Sequence, residues 1–180
     1  MSELKIGFLT GVNFEGNSTF RGAILITDSQ TKPLEFRVTA PIRPTSFQKT
    51  LYGEILGEEI LVELITLPLV RTIKEKPEVI LVRDPLFLGA NLKQDIRIVR
   101  IYKEDEIGFG KNNESVSINS LSGKYEPILL ETSKEVNDEL PEIRKILSDV
   151  FAKYNLIEPF ERVKLACEQV HAQKIGESQK

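Results

Sequence analysis

The stretch that decides the fold is PEVILVRDP, residues 77–85. Val79, Ile80, Leu81 and Val82 form an unbroken apolar run inside it. A strand with one wet face alternates apolar and polar residues. A short run without alternation reads instead as a strand covered on both faces. Pro85 ends it, since proline has no N–H to give to a ladder.

Upstream lies PIRPT, residues 41–45, a stiff extended connection because each proline fixes its own φ and biases the residue before it. Thr45 followed by Gln48 is a capping box, which predicts a helix starting at Ser46. Gly57 ends or weakens that helix. A second helical piece, Glu58 to Lys74, should be kinked or broken at Pro68. Apolar residues surround both pieces (Leu51, Tyr52, Ile55, Leu56, Ile60, Leu61, Val62, Leu64, Ile65), which predicts a central, deeply packed helix.

The first forty residues read as three strands. Lys5–Val12 is apolar, Thr19–Thr27 is rich in β-branched residues, and Leu34, Phe36 and Val38 alternate with Glu35, Arg37 and Thr39. The connections between them carry turn residues, so an antiparallel meander is expected. Downstream of Pro85, Leu86–Lys93 reads as a loop and Ile96–Tyr102 as a strand. Glu104–Lys124 is polar, a mobile loop or one short hairpin, and Tyr125–Glu131 supplies a last strand. Ile143, Ile146, Leu147, Val150, Phe151 and Tyr154 share one helix face. A final helix runs from Pro159 to Lys174, with Phe160, Val163, Cys167 and Val170 inward. The two tail helices should pack on the sheet of the same chain, or failing that on another copy.

These elements make an α+β domain. Its sheet is mixed and largely antiparallel, with about five or six strands, a buried central helix and two C-terminal helices on one face. Residues 1–103 form the sheet and central helix, 104–136 a polar loop with the last strand, and 137–180 the helical pair, all in one domain.

Composition narrows the chemistry. Cys167 is the only cysteine, which excludes an internal disulfide framework and a cysteine-based zinc site; a small buried hydrophobe is the expected role. His171 is the only histidine and stands near an end expected to fray, a poor place for nucleophilic catalysis. The N-terminus lacks the pattern of a signal peptide, and the greasiest stretch, Leu51–Val70, holds four glutamates, so cytoplasm is expected and a membrane span is not. The scarcity of Trp, Met and Cys beside many Ile, Glu and Lys is compatible with a thermophilic source. Net charge is −3, divided as +2 over residues 1–103 and −5 over 104–180. A surplus of +2 is too small to predict nucleic-acid binding.

The order strand, strand, strand, helix, strand over residues 4–84 resembles the opening of the ribonuclease-H-like fold. That resemblance implies carboxylates converging on two divalent ions, Mg²⁺ or Mn²⁺, drawn from the middle of the first strand, the helix and the end of the fourth strand. Asp84 matches the strand end, and Glu54, Glu58 or Glu63 could match the helix. Lys5–Val12 contains no acid, and Glu15 lies beyond it. Asp84 before Pro85 also has a simpler reading, a turn that caps nearby amides.

A second cluster is Arg37, Arg43 and Thr45, with Arg21 and Gln48 near by, whose guanidinium forks could grip a phosphate or carboxylate. The plainer reading pairs Arg37 with Glu35 or Glu15. Gly53 and Gly57 permit close packing. Gly108 and Gly110 lack the third glycine of a dinucleotide site, and no phosphate loop or nucleophile elbow occurs. The resulting expectation is a non-enzymatic protein that binds a protein partner or itself, as an oligomer or accessory subunit, without a cofactor. A metal-dependent nucleic-acid enzyme of ribonuclease-H-like type and an anion-binding module are the alternatives.

Overall fold

The computed structural model describes residues 3–106, 116–120 and 123–178, with side chains as far as 174. The meander is present as β1 (Ile6–Phe14), β2 (Thr19–Thr27) and β3 (Pro33–Val38), paired antiparallel. A helical segment follows: α1 (Ser46–Tyr52), a 3₁₀ turn (Gly53–Ile55), α2 (Leu56–Glu58), a π-helix (Glu59–Thr66) and α3 (Leu67–Thr72). Next come β4 (Val79–Val82), a 3₁₀ helix (Pro85–Leu92), β5 (Arg97–Lys103), β6 (Val116–Ile118) and β7 (Ile128–Glu131). A 3₁₀ turn (Lys134–Glu139), α4 (Leu140–Phe151) and α5 (Glu158–Ser178) complete the described chain.

The seven strands of the described residues join one sheet in the order β3-β2-β1-β4-β5-β7-β6. β1, β4 and β5 are parallel at its centre, and both flanks are antiparallel. The sheet is thus mixed and mostly antiparallel as expected, with seven strands rather than five or six. The surplus arises from β6, three residues in the polar segment whose pattern is too short to read. Residues 107–115 and 121–122 of that segment lie outside the described residues.

Val79 to Val82 are each 1% exposed or less, which is the doubly covered strand of the apolar run. On one face Ile6, Phe8, Leu81 and Val99 meet Leu147 and Phe151 of α4 and Val163 and Cys167 of α5. On the other, Leu9, Ile24, Ile80 and Ile98 meet Ile60, Ile65 and Leu69 of the helical segment and Phe87 of the 3₁₀ helix. The tail helices therefore pack on their own sheet. Burial pushes the Cys167 thiol up to about 11, so it stays protonated and serves as core.

The helical segment departs from expectation at its start. The capping box is formed: Gln48 N donates to Thr45 Oγ1 at 3.1 Å, and Thr45 N donates to Gln48 Oε1 at 2.9 Å. Yet α1, the 3₁₀ turn and α2 contain no buried residue. Phe47, Leu51 and Ile55 are 71%, 65% and 64% exposed. Burial begins only at Ile60. Gly53, at φ +54°, ends α1 in a backbone conformation that glycine adopts readily. We expect Phe47→Ala and Leu51→Ala each to change unfolding free energy by less than about 0.5 kcal/mol, as exposed positions do. Ile60→Ala should cost about 2–5 kcal/mol. Urea midpoints measure both, and a core-sized loss at Phe47 would contradict the exposed placement.

Pro68 also behaves differently from the predicted break. Its ring would crowd the carbonyl four residues back in an α-helix. The chain instead widens into π turns over Glu59–Thr66, where Leu67 N donates to Val62 O and Thr66 Oγ1 donates to Leu61 O at 2.7 Å. The helix then runs through Pro68 without a break.

Candidate functional site

β1 is nine residues long, but β4 pairs only with Ile6, Gly7 and Phe8. β4 ends at Val82, and Asp84 turns the chain into the 3₁₀ helix. The rest of β1 therefore has no strand on that side. The gap opens a cleft of about 630 Å³ at the C-terminal ends of β1 and β4. Ligands collect at such ends, where neighbouring connections leave a sheet in different directions.

Thr10, Gly11, Val12 and Asn13 form the β1 wall of the cleft, and Arg83, Asp84, Leu86 and Phe87 form the β4 side. Leu56, Gly57, Ile60, Leu61 and Ile65 of the helical segment, with Phe20, make an apolar wall, and Lys164 reaches in from α5. Asp84 does cap: its Oδ1 accepts from Leu86 N at 2.9 Å. Arg83 is answered by Glu106, Nη2 to Oε1 at 2.5 Å, with Nη1 donating to Ile101 O at 3.3 Å. Thr10, at the centre of β1, is a neutral hydroxyl that donates to Gly11 O at 3.4 Å. Lys164 has no ion-pair partner among the described residues.

Of the four carboxylates singled out from the sequence, only Asp84 lines the cleft. Glu63 pairs with Lys93. The Glu58 carboxylate lies against Gly89, where an added Cβ would stand 2.5 Å from its Oε1. Glu54 is exposed in the 3₁₀ turn. Among the described residues no group of three or more His, Cys, Asp or Glu could hold a metal ion. Two-ion chemistry needs several carboxylates around one point. The residues of this cleft do not fit that requirement.

The members of the arginine cluster are already partnered. Arg37 Nε donates to Glu35 Oε2 at 2.7 Å, and Glu35 Oε1 accepts the amides of Lys74 and Glu75, each at 2.8 Å. Burial works to raise the Glu35 carboxyl, but those amides and the Arg37 guanidinium hold it below the ordinary carboxylate value. Arg43 faces Glu15 Oε1 at 3.8 Å, and the Thr45 hydroxyl is engaged in its cap.

His171 is not at a frayed end. It is 5% exposed, stacked on Phe14 with ring centroids 3.9 Å apart, and its Nδ1 accepts from Arg21 Nε at 2.9 Å. Its Nε2 lies 3.5 Å from Glu15 Oε1. This arrangement fastens α5 to the β1–β2 turn.

Thr10, Arg83 and Lys164 escaped the sequence reading. Thr10 is one polar residue in an apolar strand, and Arg83 was passed over beside Asp84. Lys164 sits one helical turn after Phe160 on α5, a spacing visible in the sequence, but only the packing of α5 across β1 gives it meaning.

No protein-family model matches the sequence, and no curated protein matches it. Solved structures do. The chain is similar to endonuclease V of Streptomyces avermitilis, with a TM-score of 0.61 and 11% identity over 95% of this chain and 82% of that one. It is similar to endonuclease V of Bacillus subtilis at 0.58 and 11%, covering 96% and 83%. It is also similar to endonuclease V of Ciona intestinalis, solved with DNA containing an inosine followed by a ribo-adenosine, at 0.56 and 14%, covering 96% and 87%. At these identities the likeness shows the fold, which is of ribonuclease-H-like type. The expectation of a self-assembling or accessory binding protein is corrected by it. That reading rested on a missing motif, whereas the whole architecture is one on which endonucleases are built.

Proposed function

We propose that the protein binds nucleic acid, and that the cleft between β1 and β4 is where a strand is held. The observation that carries this reading is the position of the cleft. In an endonuclease V fold it opens at the C-terminal ends of the two central parallel strands, with Asp84 on its rim. Its lining suits a strand. Lys164 offers an ammonium to phosphate, Thr10 and Asn13 offer neutral polar groups, and Leu56, Leu61 and Leu86 offer apolar surface to sugars and bases.

Contacts to phosphate carry most of the affinity of such a site and make it sensitive to salt. With few cations in the cleft and a net charge of −3, binding should be weak. A dissociation constant on the order of 10⁻⁴–10⁻⁶ M is expected, the range of non-specific binding. Fluorescence anisotropy with labelled DNA and RNA, single-stranded and duplex, with and without inosine, measures it at low salt. A single strand should bind and should be released as salt rises. Flat titrations for every probe at low salt would reject the reading.

A further inference from the structure

We infer that the cleft takes a phosphodiester directly on the Lys164 ammonium, with no divalent cation between protein and phosphate, and that the strand is released uncut. The inference rests on the strand reading above and deepens it by naming what neutralises the phosphate.

Four side chains carry the argument: Thr10, Arg83, Asp84 and Lys164, all lining one cleft. A phosphate brought there needs positive charge, which can come from a bound ion or from the protein. An ion would need anionic ligands on several sides. β1 presents a hydroxyl at its centre where such a ligand would stand, and a hydroxyl does not carry the charge that holds a hard cation without further acids. Asp84 alone supplies a carboxylate, with one oxygen already accepting the Leu86 amide. The helix glutamates are occupied or turned elsewhere, Glu63 on Lys93 and Glu58 against Gly89. An ion beside Asp84 would also share the cleft with the Lys164 ammonium and the Arg83 guanidinium, both of which repel it.

The protein supplies the charge itself. Arg83 is largely answered by Glu106, so it contributes less. Lys164 has no carboxylate in ion-pair reach among the described residues, is exposed, lines the cleft, and carries three N–H donors. Its charge is therefore the one most available to a phosphate. The neutral donor of Thr10 and the apolar wall then position a strand without activating water, because no ion-bound hydroxide is formed and no described histidine lines the cleft.

The test is anisotropy of a fluorescein-labelled single-stranded oligonucleotide, titrated with the full chain in EDTA and again in millimolar Mg²⁺ or Mn²⁺. The same samples are then run on a denaturing gel. Wild type, Lys164→Ala and Lys145→Ala are compared, Lys145 being an exposed lysine of α4 outside the cleft. Affinity no higher in either ion than in EDTA, an intact oligonucleotide, and weaker binding by Lys164→Ala are expected. The loss should be about tenfold, and the slope of log affinity against log salt should fall by about one. Lys145→Ala should bind as wild type does, and all three should melt alike. Binding that requires the ion, product bands that Asp84→Asn abolishes, or an unchanged slope in Lys164→Ala would overturn the inference while leaving the strand reading intact. Absence of binding under every condition would remove the strand reading itself, and this inference with it.

Discussion

Replacing Glu131 by alanine is expected to lower the unfolding free energy by about 3–5 kcal/mol, the cost of leaving its partner charge buried and alone. Arg100 Nη1 donates to Glu131 Oε1 at 2.6 Å, and the two side chains are 8% and 2% exposed. Arg100 Nε donates to Arg83 O at 3.2 Å, and its guanidinium lies 4.4 Å from the centroid of the Tyr102 ring. Removing the carboxylate strands a guanidinium that is almost wholly shielded from water. Replacing both partners with apolar residues of similar volume, Arg100→Met with Glu131→Leu, should cost much less, because neither charge then needs solvation. Urea denaturation of the two single variants and the double variant separates these terms. A loss below about 1 kcal/mol for Glu131→Ala would mean that the pair behaves as a solvated surface bridge. The effect also reaches the cleft, since the carbonyl that Arg100 holds belongs to the residue before Asp84.

Gly22→Ala should be nearly as damaging for an opposite reason. An added Cβ would stand 2.1 Å from Ile65 Cγ2 and 2.8 Å from its Cβ and Cγ1. Ile65 is fully buried, and a β-branched side chain in a helix has one strongly preferred χ1, so it cannot swing clear. The π-helix as a whole would have to lift off the sheet. Overpacking of this kind costs about 1–3 kcal/mol and sometimes more. The check is a double-mutant cycle. Ile65→Ala alone should lose about 2–5 kcal/mol through its cavity. Combined with Gly22→Ala, the losses should fall well short of additive, because the new methyl enters the space the isoleucine vacated. Additive losses would show that the two residues do not touch.

Much of the architecture was legible because it follows from local period and punctuation. The alternation of Leu34, Phe36 and Val38, the VILV run ending before Pro85, and the tail spacing of Ile143, Leu147 and Val150 each name an element and its dry face. What local pattern cannot supply is the identity of a neighbour. Leu51 and Ile55 have the composition of core, yet both stand exposed, and nothing in their spacing reports that no described layer lies over them. The site divides in the same way. Asp84 could be found because a strand end before proline is a local signal. Lys164 could not, because only a distant helix packed across β1 brings it to the cleft. The absence of an acid from Lys5–Val12 was also legible, and the structure puts Thr10 at the middle of β1 on the cleft wall.

The linkage of α5 to the opening strands bears on how the protein is made. Phe8 packs edge-on to Phe160 with centroids 5.4 Å apart, and Arg21 reaches His171 across 150 positions of sequence. While the ribosome is still extending the chain, one side of the nascent β1–β2 hairpin has nothing to cover it, since the helix that shields it is translated far later. Closing so long a loop is entropically slow. Until α5 emerges, that greasy sheet surface is available to chaperones or to other growing polypeptides, so the time taken to synthesise the chain from the end of β2 through α5 sets how long the exposure lasts.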